Sequence, residues 1–134
     1  MADRYDVGIV GGGAIGSAIA YFLRAEPGFD GTVLVVERDP SYEYCSSARA
    51  TGGVRQQFST PENTEIGLYG AQFVKEIGEH LSVDGEAPDV GFREQGYLIL
   101  ATEAGIPALN EVLAIQRAHG ADISFLDPDA LGHR

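Results

Sequence analysis

The chain has one cysteine, which excludes an internal disulfide, and the lone thiol of Cys45 fits a reducing compartment. Basic residues are scarce: 9 Lys and Arg stand against 20 Asp and Glu, a formal net charge of −11. A balance this acidic lacks the basic patches that nucleic acid or an anionic membrane surface requires. No apolar stretch reaches the length of a membrane-spanning helix. Metal-ligand clusters, a supported Ser/His/Asp arrangement and a P-loop lysine are all missing. His80 and His119 fit no catalytic constellation and read as solvated histidines near helix ends, and His133 reads as part of a frayed tail. The first strand is expected about five residues from Met1, which leaves no room for a signal or transit peptide and makes the cytoplasm the expected compartment.

What is present is enough for a modest globular core: 134 residues, 44% hydrophobic and 22% charged. The organising stretch runs from Tyr5 to Gly16. Val7, Ile9 and Val10 form a short apolar run suited to a buried strand. Gly11, Gly13 and Gly16 follow at the spacing G-x-G-x-x-G, and an amphipathic run from Ser17 to Ala25 reads as a helix. The physical reasons differ for each glycine. Gly11 lets the chain turn out of the strand, Gly13 lets a pyrophosphate approach the backbone, and Gly16 lets helix and strand pack closely. The helix N-terminus adds unpaired N–H groups and a partial positive charge.

A bare glycine motif is shared by many turns, so its context matters. Thr32 to Val36 reads as a parallel strand covered on both faces by helices, and it ends in Glu37, roughly 20 residues past the last glycine. A carboxylate there accepts hydrogen bonds from ribose hydroxyls and repels a 2′-phosphate, so NADP is disfavoured. Arg38 is either a solvated charge or a guanidinium near the adenine. Ala18, Ile19, Phe22 and Leu23 share one helix side and are expected to pack against the sheet.

From Ser41 to Ser59 no helix or strand period fits, yet Gly52 and Gly53 beside hydroxyls and Arg55 suit a second part of a ligand. Ser59-Thr60-Pro61-Glu62 reads as a hydroxyl-capped helix start, and Ile66, Tyr69, Phe73, Ile77 and Leu81 continue it as a core face to about residue 81. Ser82 to Asp89 reads as a linker. Phe92 to Leu100 reads as two short strands turning at Gln95-Gly96. Glu103 to His119 reads as a helix with Ile106, Leu109, Leu113 and Ile115 apolar and Gly120 as its stop. Ile123 to Leu126 reads as a further strand, with Asp127-Pro128 a turn or cap.

The residues Val-Gly-Ile-Val-Gly-Gly-Gly-Ala-Ile-Gly, then Val-Val-Glu-Arg, then Thr-Gly-Gly-Val-Arg-Gln-Gln-Phe-Ser with Pro-Glu-Asn close behind carry a resemblance to a known family. They resemble the D-amino-acid oxidase-type family of FAD-dependent oxidoreductases. Within it they are most similar to the branch holding sarcosine oxidase, dimethylglycine dehydrogenase and the mitochondrial oxidoreductase that assists complex I assembly. Phe-Arg-Glu-Gln-Gly-Tyr-Leu also resembles the family's first substrate-domain strands. The implied fold is α/β: a Rossmann-like FAD-binding βαβ unit with a parallel sheet over residues 1–82, and the beginning of a second, substrate domain over residues 83–134. The resemblance covers only about the first third of the family's usual length, so the chain is expected to be an N-terminal fragment whose partner is the remainder of its own chain.

By resemblance, Gly11, Gly13, Ala14, Ile15 and Gly16 meet the pyrophosphate, and Glu37 holds the ribose with Arg38 beside it. Ser46, Ser47, Thr51, Gly52 and Gly53 line the path toward the flavin, and Arg55 lies near the isoalloxazine. Ala50 stands where dimethylglycine dehydrogenases carry a flavin-linking histidine, so the implied FAD is non-covalent. The implied reaction is oxidation of a C–N bond in a small amine or amino acid by hydride transfer to the flavin. No strong catalytic base is visible, the catalytic residues are expected beyond Arg134, and none is needed as a base if the amine binds neutral. The competing readings are an NAD-dependent dehydrogenase, supported by the first motif alone, and a non-catalytic flavin-binding assembly module.

Overall fold

Two four-residue runs rich in Val and Ile make the only paired strands among the described residues, which are residues 4–131 of the computed structural model. His133 lies outside them. Strand β1, Val7–Val10, pairs in parallel with β2, Val33–Val36, in the register Val7↔Val33 to Val10↔Val36. Parallel pairing requires a crossover, supplied by helix α1, Ala14–Ala25. The result is a βαβ unit in a mixed α/β architecture, as expected of a Rossmann-like fold.

The start of the pair is clamped by one carboxylate. Asp6 Oδ2 accepts from the Thr32 N–H and from the Thr32 hydroxyl, each at 2.8 Å. The Asp6 and Val7 N–H groups in turn donate to the Thr32 carbonyl at 3.1 and 3.0 Å. The other end closes through the Gly11 N–H, which donates to the Val36 carbonyl at 2.8 Å. Helix α1 begins three residues earlier than its apolar pattern suggests, because Gly13 already serves as its N-cap and the Ser17 N–H donates to the Gly13 carbonyl at 2.9 Å.

Two burial expectations are corrected. The side of α1 that meets β1 is the glycine side: a Cβ at Gly16 would lie 1.8 Å from the Gly11 carbonyl oxygen. Ala18, Ile19 and Phe22 are exposed and, with Ile15 and Leu23, line an open apolar groove instead. The β2 run is not covered on both faces either, since Val35 and Val36 are exposed. A sheet of two strands is too narrow to shelter more than the innermost residues, here Ile9.

The chain divides into two units, Met1–Gly53 and Val54–Arg134. In the second, helix α2 spans Pro61–Lys75, a turn at Glu76 interrupts it, and α3 spans Ile77–His80. Thr60 caps α2 by position, without a side-chain hydrogen bond. The buried face of α2 is set by small side chains rather than by Ile66 and Tyr69, which are exposed. Thr64 is 0% exposed and its hydroxyl donates to the Thr60 carbonyl at 3.0 Å. Gly67 admits the backbone of Arg55, whose carbonyl oxygen would lie 2.4 Å from a Cβ there. After one 3-10 turn, Glu103–Gly105, helix α4 spans Ile106–Ala118 and stops at Gly120, whose φ of +86° favours glycine. Gln116 is buried in α4 and donates to the Phe58 carbonyl at 2.9 Å, and His119 bonds Glu65 of α2 at 2.8 Å.

Neither 92–100 nor 123–126 forms a strand. Gly96 has the left-handed φ of +73° that a turn there calls for, but Leu98, Ile99 and Leu100 stay exposed. A strand exists only by pairing, and the described residues offer this segment no partner. Asp127 does act as a cap: its Oδ1 accepts from the Ala130 N–H at 2.7 Å, at the short helix α5, Pro128–Leu131.

The Asp6 clamp makes the strand pair acid-sensitive. Hydrogen bonds from the Thr32 backbone, then from its side chain, hold the Asp6 carboxyl below its ordinary range. A depressed carboxyl contributes stability that is present above the unfolded value, about 3.9, and is lost as pH falls through the lower folded value. Denaturant titration of Asp6→Ala against the parent chain is expected to give a stability gap that is constant from neutral pH to about pH 5 and closes below about pH 4. A gap of the same size at pH 3 would remove the clamp from the account.

Candidate functional site

The three motif glycines are required for three separate reasons. Gly11 has a φ of +97°, which only glycine adopts without strain. Gly16 is demanded by packing, as its contact with the Gly11 carbonyl shows. Gly13 is demanded by neither: its φ is −64°, and an added Cβ would make an ordinary contact, 3.5 Å, with Ser47 Oγ. A glycine that the chain itself does not need, at the N-cap of a helix, fits a ligand that must approach the backbone. The N–H groups of Ala14, Ile15 and Gly16 precede the first intrahelical donor, the Ser17 N–H, so the N-terminus of α1 carries backbone donors without intrahelical partners, Ala14's being taken by Ser47.

Glu37 sits directly after β2, half-buried, and reaches across to the glycine turn. Its Oε2 accepts from the Gly12 N–H at 2.7 Å and its Oε1 from the Asp39 N–H at 2.8 Å. These two donors, Asp39 first and Gly12 second, hold the Glu37 carboxyl below its ordinary range and keep it ionised at neutral pH. An ionised carboxylate accepts about four hydrogen bonds, so capacity remains for ribose hydroxyls. Ser47 reaches the same place from the following loop: its Oγ accepts from the Ala14 N–H at 3.2 Å. Ser17, one turn into α1, donates to the Gly12 carbonyl at 2.6 Å and fixes the turn from the other side.

The structure therefore gathers Gly11, Gly13, Ala14, Gly16, Glu37 and Ser47 around one turn. Ile15 is 79% exposed, with its side chain in the apolar groove of α1. Arg38, Ser46, Thr51, Gly52 and Gly53 are exposed, and Gly52 has a φ of +72°. Arg55 belongs to the second unit, where its guanidinium lies over the Phe58 ring at 4.8 Å. Gly12, Ser17 and Tyr42 complete the turn and escaped sequence reasoning. Gly12 and Ser17 carried a readable signal, being inside the motif and at the helix start; Tyr42 carried none. In the second unit Gln57 Oε1 is buried without a hydrogen-bond partner among the described residues. No group of three or more metal-ligating side chains occurs among the described residues. None of their helices is long and apolar enough to cross a membrane.

Comparison with known proteins gives this geometry a family. The family model described as FAD dependent oxidoreductase matches residues 6–134. Among curated proteins, FAD-dependent oxidoreductase domain-containing protein 1 of Xenopus laevis is 46% identical over 132 residues, covering 96% of this chain and 26% of that protein. The Bos taurus protein of the same name is 41% identical over 132 residues, covering 96% and 27%. The Drosophila melanogaster homolog is 38% identical over 130 residues, covering 96% and 24%. The chain thus spans about a quarter of the length of the curated relatives it matches. No solved structure matches it. The family match decides FAD over NAD, and the chain belongs to the FAD-dependent oxidoreductase family.

Proposed function

We propose that this chain supplies the ADP-binding portion of an oxidoreductase that oxidises a C–N bond of a small amine or amino acid, in the manner of the sarcosine oxidase and dimethylglycine dehydrogenase branch. Gly13 is the observation that carries the nucleotide part, because neither backbone conformation nor packing accounts for a glycine there. The amine chemistry is supported by the family match and by the Thr51 to Ser59 motif. FAD, when bound, would supply the hydride acceptor. The backbone from Gly11 to Gly16 would meet the pyrophosphate, and Glu37 would accept from the ribose. Ser46, Ser47, Thr51, Gly52 and Gly53 would continue the site beyond the pyrophosphate, with Arg38 near the adenine. Ala50 in place of a linking histidine supports non-covalent binding.

The glycines give the first test. Gly13→Val is expected to abolish ADP binding with the circular dichroism spectrum kept and only a small fall in thermal midpoint, from the poorer N-cap. Gly16→Val is expected to lower the midpoint sharply, because its Cβ meets backbone that cannot move aside. A Gly13→Val chain that binds ADP normally would remove the pyrophosphate from this turn. For Glu37→Ala, loss of a charged acceptor is expected to weaken ADP roughly ten- to a hundredfold. Unchanged ADP affinity in this variant would take the ribose away from Glu37.

The function itself is tested by titration calorimetry with ADP and FAD, beside a peroxide assay with sarcosine, dimethylglycine and proline. The 134-residue chain is expected to bind both nucleotides weakly and alike, without turnover. A form of the protein extended to the relatives' length is expected to hold flavin stoichiometrically and to lose its visible absorption when one of these amines is added. An extended form that takes up FAD but is bleached by no amine would overturn the amine reading.

A further inference from the structure

Tyr42 stands beside the glycine turn in the first unit. Its φ is +57°, a left-handed conformation that a bulky side chain adopts only when its surroundings impose it. The surroundings do impose it. Asp39 Oδ1 accepts from the Ser41 N–H at 3.0 Å and from the Ser41 hydroxyl at 2.6 Å. The Tyr42 N–H donates to the Asp39 carbonyl at 3.0 Å, and the Cys45 N–H donates to the Tyr42 carbonyl at 3.1 Å. The chain is folded back so that the phenol oxygen lies over the glycine turn. A Cβ on Gly12 would be 2.6 Å from that oxygen and 3.5 Å from the Glu37 Cβ. The phenol oxygen thus occupies the space a side chain at Gly12 would take.

The turn needs such a group. An anionic diphosphate has to be met by donors, and the chain carries a net charge of −11. Two of the backbone donors are already committed: the Gly12 N–H to Glu37 and the Ala14 N–H to Ser47. Glu37 itself only accepts. The Tyr42 hydroxyl is a donor, the residue is 37% exposed, and no hydrogen bond joins the hydroxyl to another described residue. From this convergence we infer that Tyr42 is a nucleotide-binding residue, whose phenol donates a hydrogen bond to a phosphate oxygen of the ADP moiety at the Gly12 turn.

This inference rests on the FAD reading of the turn, and the test separates the two. Calorimetric titrations of the chain and of Tyr42→Phe with ADP, FAD and adenosine are compared, with thermal midpoints as the control for folding. Tyr42→Phe keeps the ring and the backbone, so its midpoint is expected to match the parent. Its ADP and FAD affinities are expected to fall roughly tenfold, with adenosine affinity unchanged, because only the phosphates have lost a donor. Equal ADP affinity in the two proteins would overturn the role of Tyr42 and leave the FAD reading standing. An equal loss for adenosine and ADP would overturn the phosphate assignment. A parent chain that binds neither ADP nor FAD would overturn both.

Discussion

One carboxylate joins the two ends of the βαβ unit that matter for function. Glu37 leaves β2 and bonds the Gly12 N–H at 2.7 Å, so the direction of the glycine turn is set by the strand next to it. The Asp39 N–H, at 2.8 Å, fixes the other oxygen and with it the rotamer of the side chain. A free glycine-rich turn has many conformations, and this cross-strand bond selects one of them. The same carboxylate keeps lone pairs available outward. The lowered proton affinity of Glu37 follows from these scaffold bonds, Asp39 first and Gly12 second.

How much of this could be read in advance depends on the range of the interaction. The strands β1 and β2, the glycine spacing, Glu37 and the Gly120 stop are fixed by local chemistry and stand where the sequence puts them. The facing of α1 is not local. Its apolar residues predict the side turned to the sheet, but the close contact is made by Gly16, because β1 and α1 approach to a distance that no side chain permits. The same holds in α2, where Thr64, Gly67 and Ala71 are turned inward and Ile66 outward. The segment 92–100 has the composition of strands, yet strands depend on partners that a composition does not provide. Tyr42 was illegible for a further reason: tyrosine has no preference for a left-handed φ, and only the bonds around Asp39 and Ser41 produce it.

Among the described residues of the first unit, Ile9 is the single buried large hydrophobic residue, and Val10 is 93% exposed. The groove of Ile15, Ala18, Ile19, Phe22 and Leu23 is open along α1. Parallel sheets are most stable when both faces are covered. The site therefore sits on a scaffold whose local hydrogen bonds are well made and whose hydrophobic burial is thin. Its geometry is held by Asp6 at one end of the strand pair and Glu37 at the other, both charged groups acting through backbone N–H donors.

That balance bears on how tightly the turn can hold a nucleotide. The Ala14 N–H is not idle before a ligand arrives; Ser47 already satisfies it at 3.2 Å. A phosphate oxygen taking that place replaces a neutral acceptor with a charged one, a gain of strength rather than a wholly new bond. The Gly12 N–H is likewise held by Glu37, whose displacement would release the strand-to-turn link. Net affinity at the turn is then the difference between two satisfied states plus whatever unmet donors contribute, chiefly the Ile15 and Gly16 amides. A diphosphate bound on those terms is oriented well and held modestly. Under the proposed reading, tight retention of a large cofactor would come from contacts to its other half, and the glycine turn would contribute orientation more than grip.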